Sequence, residues 1–190
     1  ALTDETVAST IRFDDLDAAP KLAFMLAISQ PNDTATLSVF GKNADALKAA
    51  ELLSGINHGK IDPDTLSALQ IWHLMPVLDA AGVDIDNINW LDLVKQEGRP
   101  QRSFVNLSPV LLKAVTSAAE NHHVAETVLL TNWLLHDLSL DKVNPADLAS
   151  VIQALSQIDQ SKTARAFAEE IVRAHLMQML AERVPNGTQS

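Results

Sequence analysis

Val143-Asn144-Pro145-Ala146-Asp147-Leu148 reads as a helix start. The Asn side chain can accept from a free backbone N–H of the first turn, and proline at the first helical position loses no hydrogen bond because its N–H would have no partner there. Val143 before the cap and Leu148 at the fourth helical position form the apolar pair of a hydrophobic staple. The same arrangement occurs at Ile61-Asp62-Pro63 with Leu66, and at Leu107-Ser108-Pro109 with Leu112. Successive caps are 46 and 36 residues apart, and a second helical segment follows each start, which is the period of stacked helical hairpins.

Outward from these starts, the spacing predicts helices near 15–30, 44–55, 63–80, 87–96, 109–120, 123–138, 145–158 and 162–182. There is no Tyr and no Asn-Gly hairpin between alternating runs, so the chain reads as all-α. Asn89-Trp90-Leu91 and Asn132-Trp133-Leu134 echo one another in the second helices of two units. The expected architecture is one domain, a short right-handed α-solenoid of three to four hairpins, with units near 15–56, 61–97, 106–139 and 142–182 and a tail over 184–190. The chain resembles the broad class of α-solenoid repeats, similar in hairpin length to tetratricopeptide or HEAT-type units, although the tetratricopeptide Trp, Leu-Gly and Tyr pattern is missing. The resemblance implies a curved stack with a groove and a scaffold or adaptor role, and it carries over no functional residue.

Composition narrows the function classes. The 190 residues are 47% hydrophobic and carry a formal charge of −10, so the chain folds, and its acidic surface disfavours nucleic acid and anionic membranes. The absence of Cys removes disulfides, thiolate catalysis and Cys-based metal sites. No apolar run reaches the roughly 18 residues of a membrane span. The opening Ala1-Leu2-Thr3-Asp4 lacks the basic start and apolar stretch of a signal peptide. It reads as a mature product or a piece of a larger protein, cytoplasmic, or periplasmic or secreted after removal of a signal.

No catalytic constellation is recognisable, since the glycines are scattered singly and no Gly-x-Ser-x-Gly elbow exists. His122, His123 and Glu126 come nearest to metal chemistry, because three- and four-residue spacings share a helix face. A solvated helix start is the expected role of that cluster, and neither a metal nor a cofactor is expected. Asp62, Asp64, Asp84 and Asp86 read as caps and turn residues, since the calcium-loop pattern is not met. His73 and His136, and Trp72, Trp90 and Trp133, are expected to pack between units. Lys95, Arg99 and Arg102 form the one locally basic stretch and are the candidate partner-binding residues, with Arg forks suited to carboxylates or phosphates. The leading expectation is a non-catalytic protein–protein interaction or scaffold module. The alternatives are a small helical metal- or ligand-binding protein or enzyme, using the histidine cluster or a pocket walled by Trp72, Trp90 and His73, and a structural C-terminal domain of a larger secreted or envelope protein.

Overall fold

The computed structural model describes residues 24–85, except 26 and 30–43, together with 103–182. The protein is mostly helical, as its Ala- and Leu-rich segments dictate. Residues 24, 25 and 27–29 are helical. They are followed by α1 (Ala44–His58), β1 (Lys60–Ile61), α2 (Pro63–Leu69), a 3₁₀ turn (Trp72–Leu74), α3 (Met75–Ala80) and β2 (Asp84–Ile85). Beyond Ser103 come α4 (Pro109–Glu120), α5 (Val124–Leu135), a 3₁₀ turn (Leu140–Lys142), α6 (Pro145–Gln157) and α7 (Ser161–Glu182).

All three proline starts open helices, but their caps differ. Asp62 accepts from the backbone N–H of Asp64 at 3.0 Å, and Asn144 accepts from that of Ala146 at 3.0 Å. The Ser108 hydroxyl makes no cap bond. The staples close at the first and third starts, where Ile61, Leu66, Val143 and Leu148 are all buried. At the second, Leu107 is buried and Leu112 only half-buried.

The single helix expected over 63–80 is broken. Pro76 has no N–H to donate to Trp72 four residues earlier and its ring would clash there, so a continuous helix is excluded. The chain exits α2 through Gln70 in the left-handed region at φ 55°, passes the 3₁₀ turn and restarts as α3. Short strands also form that the composition does not suggest. β1 and β2 pair in parallel, Lys60 opposite Asp84 and Ile61 opposite Ile85. A second parallel bridge joins Val105 to Val143.

α6 is the central helix, packed by α3, α4 and α7 and more lightly by α5. It buries Leu148, Val151, Ile152, Ala154 and Leu155, an apolar stripe at three- and four-residue spacing. α7 packs on α6 and also on α1, so the last helix returns to the first part of the chain. The starts of α4 and α6 are stitched side by side. Val105 donates to Lys142 O at 2.7 Å, Asn144 donates to Val105 O at 2.9 Å, and the Leu107 N–H donates to Asp147 Oδ2 at 2.8 Å. The Asn144 side-chain amide donates to Asn106 Oδ1 at 2.9 Å.

Candidate functional site

The arrangement that stands out lies on the α4–α5 hairpin. α4 and α5 pack against each other, joined by a tight turn in which His122 takes φ 56°. This left-handed residue allows the His123 N–H to donate to Ala118 O at 2.9 Å, ending α4 and reversing the chain. Against the core α5 buries only Thr127 and Leu134. Thr127 satisfies its hydroxyl within the helix by donating to His123 O at 3.0 Å.

The rest of α5 faces outward and is largely apolar. Val124, Ala125, Glu126, Val128, Leu129, Asn132 and Trp133 are exposed, and five of these seven side chains are hydrocarbon or aromatic. Leu129 is 69% and Trp133 66% exposed. Val110 in the first turn of α4, 78% exposed, lies at the same end of the hairpin as Trp133, and Leu138 is exposed just beyond α5.

Of the residues expected to carry function, Lys95, Arg99 and Arg102 lie outside the described residues, as do Trp90, Asp86 and the helix expected over 87–96. His123 and Glu126 do come together, with Nδ1 3.0 Å from Oε2, both side chains well exposed. His122 sits in the turn before them. Among the described residues no group of three or more His, Asp or Glu is gathered to hold a metal ion. Asp62 is a cap, and Asp84 is exposed in β2.

The expectation of packed aromatic and histidine residues holds for Trp72 and fails for Trp133 and His136. Trp72 belongs to the core. His136 is exposed and pairs with its neighbour Asp137, Nε2 to Oδ2 at 3.2 Å. The reason is positional, since α5 is the outer member of its hairpin and nothing described covers its far side. His73 is half-buried, with its ring centroid 5.8 Å from Phe104 and 5.2 Å from His175. His175 is fully buried on α7, where Nδ1 donates to Ile171 O at 2.9 Å. These three rings join the 3₁₀ turn, the segment before α4, and α7 in one internal contact.

Among the described residues no helix is long and apolar enough to cross a membrane. Comparison with known families finds no matching family model, and comparisons with curated proteins and with solved structures find no match either.

Proposed function

We propose that the protein is a non-catalytic interaction module that engages a protein partner through the outer face of α5. The observation that carries this reading is the exposed run Val124, Val128, Leu129 and Trp133 on a helix whose neighbours cover only one side of it. An exposed Trp is the kind of aromatic anchor that dominates protein interfaces, and Leu129 stands one turn before Trp133. The basic residues Lys95, Arg99 and Arg102 are a second proposed contact, with guanidinium groups suited to a partner's carboxylates. In this reading the helical hairpins serve as scaffold. The side-by-side starts of α4 and α6, bridged at Val105 and Val143, support stacking of these units in the manner proposed for the right-handed solenoid, while α7 packs back on α1.

The test is site-specific photocrosslinking in the cells that make the protein. A photoreactive residue in place of Leu129 or Trp133 is expected to give a discrete protein adduct, and one at exposed Asp79 on α3 none. Equal labelling from all three positions refutes the reading.

A further inference from the structure

Resting on that reading, we propose that the occupant of the α5 face is a second copy of this chain, with the two α5 helices packed antiparallel about a two-fold axis at the level of Thr131. Three observations support a self-complementary contact. The outward ridge Glu126, Leu129, Trp133, His136 has helical spacings of three, four and three residues, the same read in either direction. Leu129 and Trp133 stand two residues on either side of Thr131, and Glu126 and His136 five on either side. An antiparallel neighbour therefore sets each Leu129 against the partner's Trp133 and each Glu126 against the partner's His136, as an isologous interface requires.

The chemistry of the outer pair is complementary. A carboxylate meets an imidazole, which, with Nε2 given to its own Asp137, has a second N–H to donate to that carboxylate in its protonated form. Glu126 uses Oε2 toward its own His123, and His136 uses Nε2 toward its own Asp137, so Oε1 and Nδ1 remain to face the other copy. The area is also adequate. From their fractional exposures, Val110, Leu129, Trp133 and Leu138 present on the order of 500 Å² of surface per copy, Val124 and Val128 lying round the helix from this ridge. Doubled across a two-fold axis this reaches ~1,000 Å², the least that a specific interface needs.

Charge sets the behaviour with salt. Each copy carries −10 overall, yet the seven exposed positions within α5 include one carboxylate, Glu126. Two acidic bodies joined through an apolar patch repel at long range, so added salt tightens the pair, whereas a cationic partner on the same face would be weakened by salt.

The experiment is sedimentation equilibrium of the full chain from about 1 to about 200 µM at low and high salt. A monomer–dimer equilibrium that tightens with salt is expected. Leu129→Glu or Trp133→Glu should weaken it at least about tenfold with an unchanged far-ultraviolet spectrum, since both residues are exposed. Glu126→Arg or His136→Glu alone should weaken it, and the two together should restore it, which only an antiparallel contact does. A monomer at every concentration, or a dimer indifferent to both sets of variants, overturns the second copy as occupant. The docking reading fails separately, when position 129 crosslinks no more than the control on α3.

Discussion

Replacing the three cap residues by alanine separates sequence resemblance from made contacts. Asp62→Ala removes the acceptor for Asp64 N–H at 3.0 Å, and Asn144→Ala removes the acceptor for Ala146 N–H at 3.0 Å. Each loss leaves a first-turn donor to water and is expected to cost about 1 kcal/mol. Asn144 also donates to Asn106 across the α4 and α6 starts, an exposed bond that adds ~0.5 kcal/mol. Ser108 makes no side-chain cap bond, so Ser108→Ala should stay within about 0.5 kcal/mol of the parent. Urea unfolding followed by circular dichroism resolves these differences, and thermal midpoints should fall by about 2–4 °C per kcal/mol at this chain length. The expected order of loss is Asn144, then Asp62, then Ser108. A Ser108→Ala loss as large as that of Asn144→Ala refutes the reasoning, because it would mean that the sequence pattern, and not the hydrogen bond, carries the energy.

Other substitutions test the packing and the backbone by the same unfolding assay. Leu148 is fully buried on the central helix, and Leu148→Ala should cost about 2–5 kcal/mol. Gly55→Ala, which would normally favour a helix, should destabilise by roughly 1–3 kcal/mol, because a Cβ there would lie 2.6 Å from Lys60 O and 2.9 Å from Ile61 Cγ1. Gln70→Gly should raise stability by about 0.5–1 kcal/mol, since Gln70 ends α2 at φ 55°, where glycine bears no side-chain strain.

The helical class and most helix starts were legible because capping and staple chemistry is local: a side-chain acceptor, a proline and two apolar residues act within one turn. The break at Gln70 was half-legible. Pro76 forbids a continuous helix, but where the chain releases depends on how Trp72 and Leu74 reach the core, which is a tertiary matter. The strands were not legible, since β1 and β2 are two residues each and pair with partners 24 positions apart in the chain, Lys60 with Asp84 and Ile61 with Ile85. The outward face of α5 leaves a signal in the sequence. Val124–Leu135 carries apolar side chains round most of its circumference, with Glu126 and Asn132 the polar members of its exposed positions, and such a helix calls for cover on more than one side. Its two flanking helices supply only part of that, and none of the described residues supplies the neighbour that would make Trp133 an internal anchor.

The three starts also show why an echo in sequence is not an equivalence in structure. Lys60-Ile61-Asp62-Pro63 and Lys142-Val143-Asn144-Pro145 share their pattern, and in both the residue just before the cap sits in a parallel pairing. That pairing fixes the extended backbone from which the cap side chain reaches the first turn. At Ser108 the paired residue is Val105, three positions before the cap, and the intervening Leu107 N–H is taken by Asp147 of α6. The α4 start is thus held from outside, by α6, and not by its own cap. The α4–α5 hairpin is anchored through its first helix to the central helix, while its second helix has little contact with the core. An element fixed on one side and apolar on the other presents a surface without needing to move, and that is the geometry on which the proposed docking at α5, and not at the histidine turn beside it, relies.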